Sequence, residues 1–270
     1  MHDVHSFQKI VQKHYKENGR DLPWRQTTDP YQIVVSEVML QQTQVDRVVK
    51  KYAEFVAHFP DFSSLAAASV GDVLRAWQGL GYNRRGLMLK QLAETVVEKY
   101  SSTLPNDPAL LEELPGIGPA TAQSICAFAF NVPVVFIETN IRTVFIHHFF
   151  KNRNKEKKVS DDELLPLVEK TLDKKNPRQW YNALMDYGTF LKKEFGNANV
   201  RSAQYARQSK FEGSNRQVRG RILKVLSTGA LRRADLIKNV GLAPEKIRKN
   251  LIQLHSEGFL REERGIVSLA

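Results

Sequence analysis

Apolar residues recur at every third or fourth position through most of residues 5–195, and this spacing predicts an almost entirely helical region. Helix-start signals separate the apolar runs. Some place a side-chain acceptor ahead of a proline at the first helical position, and others are typical of capping boxes. These signals are Asp29-Pro30, Asp107-Pro108, Ser69-x-x-Asp72 and Ser160-x-x-Glu163. The short β-branched segment at 133–137, PVVFI, fits either a strand or a connection between buried helices.

A different pattern occupies the end of the chain. Helices are predicted over 217–227, 232–240 and 244–257, and the ending FLREERGIVSLA alternates like a hairpin that turns at Arg264-Gly265. Three helices followed by a hairpin are typical of a winged-helix domain, whose third helix enters the DNA major groove. A small structural or protein-binding module would show the same pattern. If the domain binds DNA, the candidate residues on the third helix are Lys246, Arg248 and Lys249.

The segment 196–215 is polar and contains glycine, so we interpret it as a linker or irregular crossing segment. The predicted organisation is therefore a helical domain over 1–195, this linker, and a winged-helix-like domain over 216–270. The linker and its surroundings are basic, because residues 192–233 contain eleven Lys or Arg and two Glu. We expect the arginines Arg216, Arg219 and Arg221 to contact DNA.

Composition places the chain in the globular class, with 42% hydrophobic and 26% charged residues over 270 positions. Lysine and arginine total 40 against 29 acidic residues, a balance typical of proteins that neutralise phosphates, although many soluble proteins are basic for no specific reason. No apolar run reaches membrane-spanning length, so we expect a soluble, cytoplasmic monomer, nucleoid-associated in a prokaryote, with no membrane partner. The single cysteine, Cys126, excludes an intrachain disulfide and an all-cysteine metal site.

The sequence LPGIGPATAQSI at 114–125 joins one short predicted helix to another. Its glycines allow a tight turn, and the backbone amides of Gly116, Ile117 and Gly118 would converge on one anion. An LPGxG hairpin between two helices is the signature of the helix-hairpin-helix motif, which grips the DNA backbone without reading sequence. Glycine and proline between helices can also mean only a turn.

Residues 30–45, PYQIVVSEVMLQQTQV, predict an amphipathic helix in which Glu37 and Gln41 share one face. Taken alone, Glu37 could be an ordinary solvated glutamate. The string SEVMLQQTQV, with LPW at 22–24, GLGY at 79–82 and LPGIG at 114–118, resembles MutY-type adenine DNA glycosylases over roughly residues 5–195. The resemblance implies a mainly α, two-lobed helix-hairpin-helix glycosylase fold, followed here by the small winged-helix domain.

The resemblance also implies the catalytic groups. Glu37 matches the family's acid, which protonates the adenine ring as the glycosidic bond breaks, and a carboxyl among apolar side chains can stay protonated near neutral pH. A second carboxylate stabilises the sugar cation. The family places an aspartate there, in a string of the form ILDGN, whereas this chain has FIETN and so aligns Glu138. The glutamate keeps the charge but adds a methylene, which the backbone must accommodate.

Other positions match family residues around the flipped base or in the duplex. Gln42 and Tyr82 match side chains that intrude into the duplex, although Tyr82 could equally be core packing, and Gln41 and Asn140 match residues at the DNA. Asn182 stands where family members place Gln or Glu, so a shorter amide could alter base choice. The candidate pocket residues are Arg20, Leu22, Trp24, Arg25, Val45 and Asn182.

The sequence departs from the family pattern at three further points. Ala120 stands where bifunctional members of the superfamily carry a lysine that attacks the sugar, so we expect base excision by water without strand cleavage, unless another lysine substitutes. Family members usually follow MDxG with four cysteines that bind an iron-sulfur cluster, whereas MDYG at 185–188 is followed by no cysteine. We therefore expect no cluster, no metal and no cofactor. The predicted winged helix stands where the family commonly has a domain that recognises 8-oxoguanine.

Three hypotheses follow from these observations. The first is a monofunctional DNA glycosylase that hydrolyses the bond to adenine mispaired with 8-oxoguanine or G in double-stranded DNA. The second keeps the fold but excises thymine or uracil opposite G. The third is a catalytically lapsed DNA-binding protein in which the C-terminal domain dominates.

Overall fold

The computed structural model describes residues 3–154, 157–207 and 210–270, and it confirms the predicted, mainly helical fold. Two short 3-10 helices at Pro23–Arg25 and Ala198–Arg201 accompany the regular elements. The helices are α1 (Val4–Asn18), α2 (Pro30–Leu40), α3 (Val45–His58), α4 (Phe62–Ala67), α5 (Val70–Ala76), α6 (Arg84–Tyr100), α7 (Pro108–Glu112), α8 (Pro119–Phe130), α9 (Thr139–Phe149), α10 (Asp161–Thr171), α11 (Pro177–Phe195), α12 (Asn215–Leu226), α13 (Arg233–Val240) and α14 (Pro244–Ser256). The strands are β1 (Leu231–Arg232), β2 (Leu260–Glu263) and β3 (Ile266–Leu269).

The predicted helix-start signals act as caps. The Asp29 carboxylate accepts from the Tyr31 amide at 2.9 Å before α2, and the Asp107 carboxylate accepts from the backbone at 2.8 Å before α7. Ser160 forms a capping box at α10, and the Ser69 hydroxyl caps α5. Each cap satisfies backbone donors that a helix start leaves without partners. The segment at 133–137 belongs to neither helix nor strand.

The chain divides into two compact units. The first takes the described parts of Met1–Ile33, Asn106–Glu113 and Ile117–Arg207, and the second takes those of Val34–Pro105, Leu114–Gly116 and Gln208–Ala270. The second unit thus combines α3–α6 with all the elements from α12 onward. The predicted domain boundaries in sequence stay a prediction.

The core of the first unit forms where α1, α9 and α11 pack together. Phe7 of α1 is buried and lies 5.4 Å from the Phe145 ring, 5.1 Å from the Phe149 ring and 6.1 Å from the Trp180 ring, measured between centroids. Tilted and edge-on contacts of this kind add to the free energy gained from removing the rings from water. This aromatic cluster fixes α9 and α11, which carry several of the candidate site residues.

The C-terminal part of the second unit has the element order of a winged helix. Strand β3 lies between β1 and β2, and both pairings are antiparallel. The predicted turn is confirmed, because Arg264 and Gly265 connect β2 to β3 with φ of 51° and 76°. Two consecutive residues at positive φ are typical of the hairpin turn that follows the twist of the strands. Strand β1 was not predicted, since two residues are too few to show an alternating pattern.

This C-terminal part shares a core with α5 and α6. Leu74 and Leu87 belong to the same buried cluster as Ile222, Leu254 and Phe259. A backbone hydrogen bond of 2.9 Å also joins the start of α5 to the residue after β3. Burying each large aliphatic side chain contributes about 1.5–3 kcal/mol, so this packing joins the C-terminal elements firmly to the helices of the same unit.

Part of the segment predicted as a linker has regular contacts. Val159 and Ser202 form a parallel bridge, and Asn199 is only 4% exposed. The segment 196–215 is therefore not irregular throughout, because its backbone up to residue 203 pairs with the chain before α10. Residues 208 and 209 of the segment lie outside the described residues.

Among the described helices, none combines the length and the apolar character needed to cross a membrane.

Candidate functional site

Helix α2 carries the candidate acid Glu37. Its neighbours Val35, Ser36 and Val38 are buried, whereas Glu37 itself is partly exposed. One turn later, the Gln41 amide lies 3.5 Å from the backbone carbonyl of the first glycine in LPGIG, within the second unit. The candidate acid thus lies on a helix whose neighbouring positions Val35, Ser36 and Val38 are buried.

Arg85 organises the loop after α2 and the GLGY loop. Its guanidinium donates to the Val38 and Met39 carbonyls at 2.7 and 2.9 Å, to the Thr43 hydroxyl at 2.8 Å, and to the Gly81 carbonyl at 3.1 Å. These bonds satisfy the last carbonyls of α2, and they place a positive charge at the negative end of the helix. Burial lowers the pKa of Arg85 to about 10, so the group remains charged near neutral pH.

Both predicted intruding residues have left-handed backbones. Gln42 has φ of 54° and Tyr82 has φ of 47°, and Gly81 precedes Tyr82 at 74°. Side chains other than glycine pay a steric cost at positive φ, and such strain concentrates where a site requires it. Gln42 is exposed and Tyr82 is partly exposed, so neither serves as ordinary core packing.

A groove of about 1120 Å³ lies within the second unit, beside these two residues. Tyr82 and Gln42 line it together with residues of the C-terminal part. Its described lining contains one carboxylate, Glu257, and five arginines, which are Arg47, Arg84, Arg85, Arg216 and Arg219. The groove is therefore suited to an anionic ligand.

The three predicted DNA-contacting arginines around the linker differ in their surroundings. The Arg216 guanidinium donates to the Tyr82 hydroxyl at 2.5 Å and lies 5.2 Å above the ring centroid. Arg219 forms an ion pair with Glu257 at 2.7 Å, and Arg221 is exposed and does not line the groove. The structure thus brings Arg216 and Arg219 to the groove and leaves Arg221 outside it.

The candidate residues of the third C-terminal helix, Lys246, Arg248 and Lys249, are exposed on α14. The Lys246 amine lies 3.3 Å from the Gly213 carbonyl. Farther along the same helix, Gln253 lines the groove. DNA contact by the three basic residues stays a prediction.

The predicted hairpin joins α7 to α8. Gly116 has φ of 81°, and a Cβ at that position would lie 2.9 Å from the Cβ of Met88. Gly118 is the N-cap residue of α8, Pro119 is its first residue, and Ile117 is buried. The turn therefore requires glycine at 116 for both its dihedral angle and its close approach.

Glu138 is the N-cap residue of α9. Its Oε1 accepts from the backbone amides of Asn140 at 2.7 Å and Ile141 at 3.0 Å, and the Asn140 side chain lies 3.4 Å from Oε2. Burial raises the pKa of the Glu138 carboxyl, while the two backbone donors act in the opposite direction. The longer side chain thus still reaches the helix N-terminus, whose dipole favours the charged form.

Gly188 of the MDYG sequence allows α9 to approach α11. A Cβ at Gly188 would lie 2.7 Å from the Asn140 Cβ and closer still to the Asn140 carbonyl oxygen. Neither atom can move without shifting the backbone that follows Glu138. The glycine therefore sets the position of the N-terminus of α9.

The candidate pocket residues Arg20 and Arg25 are both tied to Asp186 of α11. Arg20 Nε donates to Asp186 at 2.6 Å, and Arg25 donates through two nitrogens, each at 2.8 Å. Asp186 is only 3% exposed. Burial on its own would raise the pKa of Asp186, but hydrogen bonding and charge from Arg25 and Arg20 hold it below its usual value. The two arginines therefore support the segment between them.

That segment contains Leu22 and Trp24, which are buried at 8% and 7% exposure. Asn182 is partly exposed and stands one turn before Asp186 on α11. Val45, in the second unit, is partly exposed at the start of α3. The roles of these residues around the base stay predictions.

The segment after α11 makes structural contacts with α9. The Asn199 amide donates to the Thr139 carbonyl at 2.8 Å and to the Thr143 hydroxyl at 2.6 Å, which anchors α9. A cysteine-ligated cluster does not fit these residues, because the one cysteine, Cys126, is buried in α8 and burial raises the pKa of its thiol to about 11. Within the described ranges, no three His, Cys, Asp or Glu side chains are placed to hold a metal ion.

Sequence reasoning missed four functional candidates, which are Arg85, Asp186, Gly188 and Phe211. An aspartate inside the apolar run of α11 was a usable signal, since a buried carboxylate requires a cation. Gly188 belongs to the MDYG string that matches MDxG, whereas Arg85 and Phe211 gave no local signal, because their importance depends on what lies across from them in the fold.

Comparisons with known proteins agree with this arrangement. Residues 35–170 match the HhH-GPD superfamily of base excision DNA repair proteins. An adenine DNA glycosylase of Mycobacterium tuberculosis is 42% identical over 131 residues, which are 48% of this chain and 43% of that protein. One of Mycolicibacterium smegmatis is 34% identical over 241 residues, 82% of this chain and 81% of that protein. The matched region spans less than half the length of the first of these relatives.

Solved structures show the same fold. A thermostable thymine-DNA glycosylase superposes with a TM-score of 0.63 at 23% identity, covering 74% of this chain and 92% of that chain. A non-covalent endonuclease III–DNA complex gives 0.54 at 18% identity, covering 77% of this chain and 91% of that chain. The resemblance inferred from the sequence motifs is confirmed at the level of the family. The chain belongs to the HhH-GPD superfamily of base excision DNA repair proteins.

Proposed function

We propose that this chain is a monofunctional adenine DNA glycosylase, which hydrolyses the N-glycosidic bond of adenine mispaired with 8-oxoguanine or G. The observation that carries the proposal is the carboxylate of Glu138, fixed by two backbone amides at the N-terminus of α9. It occupies the sequence position of the family's second carboxylate. Support also comes from relatives named adenine DNA glycosylase, one of which matches 82% of the chain.

In this proposal Glu37 is the general acid. It gives a proton to the adenine ring, so that the base leaves as a neutral molecule when the bond to the sugar breaks. The Glu138 carboxylate stabilises the positive charge that develops on the sugar. A water molecule then adds to the sugar and gives its proton to the Glu37 carboxylate left by the first step. The products are free adenine and an abasic site.

The adenine must leave the base stack before Glu37 can give it a proton. In the proposal, Gln42 and Tyr82 enter the duplex and fill the space that the adenine vacates. Their support is the left-handed backbone at both positions and their place in the lining of the arginine-rich groove.

Strand cleavage is not part of the proposed reaction. Ala120, in the first turn of α8, has no amine with which to attack the sugar. The proposed partner is double-stranded DNA, supported by the arginine-lined groove and by the fold shared with an endonuclease III that was solved with DNA. We propose that the reaction uses no metal and no iron-sulfur cluster.

A panel of duplexes tests the proposal. The protein is incubated with duplexes that contain A:8-oxoguanine, A:G, T:G or U:G, and each is analysed before and after hot alkali. We expect cleavage only after alkali and only at adenine. Cleavage at thymine or uracil would instead identify the other base class, cleavage before alkali would contradict the monofunctional assignment, and none at any base would contradict the enzyme.

Variants of the two carboxylates test their roles. Glu37→Gln should lower single-turnover excision by about a thousand-fold while sparing duplex binding, because a general acid supplies effects of this order. Glu138→Asp should retain activity, whereas Glu138→Ala should lose it. Retained turnover in Glu37→Gln or in Glu138→Ala would remove that residue from the mechanism.

A further inference from the structure

The arginine-lined groove is built from two parts of the second unit. One wall carries Gln42 and Tyr82, whose strained backbones were described above. The other wall comes from the C-terminal part, with Phe211, Arg216 and Gln253. The Phe211 side chain is 57% exposed, so its ring is accessible to a ligand in the groove. The C-terminal part therefore adds side chains directly beside Gln42 and Tyr82.

The Tyr82 side chain contacts two guanidinium groups. Arg85 lies 5.5 Å from the ring centroid, and Arg216 lies 5.2 Å from it while donating to the hydroxyl. Cation–π contact and the hydrogen bond together fix the orientation of the ring. Arg85 is also held by backbone carbonyls of α2 and the GLGY loop.

Position distinguishes Arg216 from the other arginines of the groove. It extends from the first turn of α12 to the tip of the Tyr82 side chain. Arg219, by contrast, lies against the Glu257 carboxylate. A residue that fills the space vacated by a flipped nucleotide lies next to the base left behind on the other strand. If Tyr82 fills that space, as in the proposed function, the Arg216 guanidinium that contacts its hydroxyl lies beside the unpaired base.

We propose that Arg216 is a specificity-determining residue that reads the base opposite the excised adenine. The proposal rests on the proposed function. An arginine fork forms two hydrogen bonds with the O6 and N7 acceptors of guanine, and cytosine offers no such edge. The exposed Phe211 ring provides a stacking surface, and the excess of arginine over carboxylate suits the phosphates of that strand.

Binding measurements test this proposal without requiring turnover. The probes are duplexes with a tetrahydrofuran abasic analogue opposite either G or C, and the measured quantity is the ratio of the two Kd values. The wild-type protein should prefer G, and Arg216→Ala should reduce the preference by about ten-fold, the discrimination expected of one arginine fork. Arg216→Lys should also lose most of it, because lysine keeps the charge but not the fork.

Two further variants separate a specific effect from a general one. Lys224→Ala removes a cation from the same helix at an exposed position outside the groove, and it should leave the ratio unchanged. Tyr82→Phe removes the hydroxyl that Arg216 contacts but keeps the ring. It should reduce the ratio by a smaller factor than Arg216→Ala, because the arginine loses one of the contacts that orient it.

Several results would overturn the proposal. They are a wild-type ratio of one, an unchanged ratio in Arg216→Ala, and an equal loss of affinity for both duplexes, which would assign Arg216 to a phosphate. The proposed function can fail separately. Suppose that the wild-type protein prefers G, that Arg216→Ala does not, and that no adenine is excised. This result would support the contact between Arg216 and the base and contradict the assignment of adenine as the substrate. If adenine is excised and the ratio is unchanged, only the role of Arg216 falls.

Discussion

The arginines around Asp186 in the first unit and those of the groove in the second unit lie in different surroundings. In the first unit, Arg20 and Arg25 surround the buried carboxylate of Asp186, so their charges are compensated inside the fold. In the second unit, Arg85 is held by neutral carbonyl and hydroxyl oxygens and keeps its charge at a groove that contains four further arginines. The arginines around Asp186 support structure, whereas the groove has an excess of arginine over carboxylate even though Arg219 is paired with Glu257, so it keeps a positive potential.

This difference indicates which substitutions should change stability most. A buried ion pair is costly to break from one side, because the remaining charge is left without compensation. A cation held by carbonyl oxygens loses hydrogen bonds when it is shortened, but it leaves no buried charge behind. We therefore expect the largest losses of stability in the first unit.

Asp186→Asn should produce the largest loss, about 4 kcal/mol in the free energy of unfolding, because two arginines lose the carboxylate that they share. Urea unfolding measures this loss. Asp162→Asn, at an exposed position of α10, is the matched control and should change stability by less than about 1 kcal/mol. A similarly small loss in Asp186→Asn would show that the paired arginines of the first unit are not structural supports.

Gly188→Ala should lower the free energy of unfolding by about 3 kcal/mol, because the new Cβ collides with the Asn140 backbone. It should also lower the rate of adenine excision, because the collision displaces the N-terminus of α9. Gly220→Ala is the control in the second unit, since a Cβ on that helical glycine meets nothing within 4 Å. Unfolding measurements should show the control to be neutral or stabilising by about 0.5–1 kcal/mol. Equal effects in the two variants would contradict the close approach of α9 to α11.

Arg85→Lys should lower the free energy of unfolding by about 2 kcal/mol, because a lysine cannot form hydrogen bonds with the end of α2 and the GLGY loop at the same time. Thermal or urea unfolding measures the loss. Arg75→Lys, in an exposed pair with Asp72, should change stability by less than about 0.5 kcal/mol. If Arg85→Lys is neutral while the protein still binds DNA, the two loops do not depend on the guanidinium.

The smallest effect is a pH dependence of opposite sign for two carboxyls of the first unit. The pKa of Asp186 is lowered on folding, so its contribution is present above about pH 4 and is lost as the pH falls through the folded pKa. The pKa of Glu138 is raised, so the folded state loses stability as the pH rises from about 4.3 toward the folded pKa.

Urea unfolding across pH tests these signs against Asp186→Asn and Glu138→Gln. The difference in free energy of unfolding between the wild type and Asp186→Asn should become smaller below about pH 4. As the pH rises, the free energy of unfolding of Glu138→Gln should increase relative to that of the wild type, by at most about 1.4 kcal/mol per pH unit. Parallel curves for all three proteins would contradict both pKa shifts.

Local rules explain what the sequence could predict. The helix caps at Asp29 and Asp107 and the hairpin turn at Arg264-Gly265 lie where the sequence places them. Each depends on residues within about four positions, where side-chain and backbone geometry decide the outcome. The matches to the family motifs likewise depend on short strings, and the comparisons bear out the family that they indicate.

The segment 196–215 shows where local rules stop. Its polar composition gave no sign of the buried contacts that Asn199 makes with α9, because the partners lie about sixty positions earlier in the chain. From the sequence, a polar side chain such as that of Asn199 predicts a loop, but it can be buried when the fold places a hydrogen-bond acceptor beside it.

The sequence by itself determined the helical pattern, the C-terminal hairpin and the motifs that identify the family. Only the tertiary structure decided which residues meet across the chain. Asp186 bonds to Arg20 across 166 positions and Arg216 bonds to Tyr82 across 134. Such pairs depend on how helices pack, and close packing fixes distances that no local pattern encodes. The sequence shows that an arginine is charged, but the fold determines which carboxylate, if any, pairs with it.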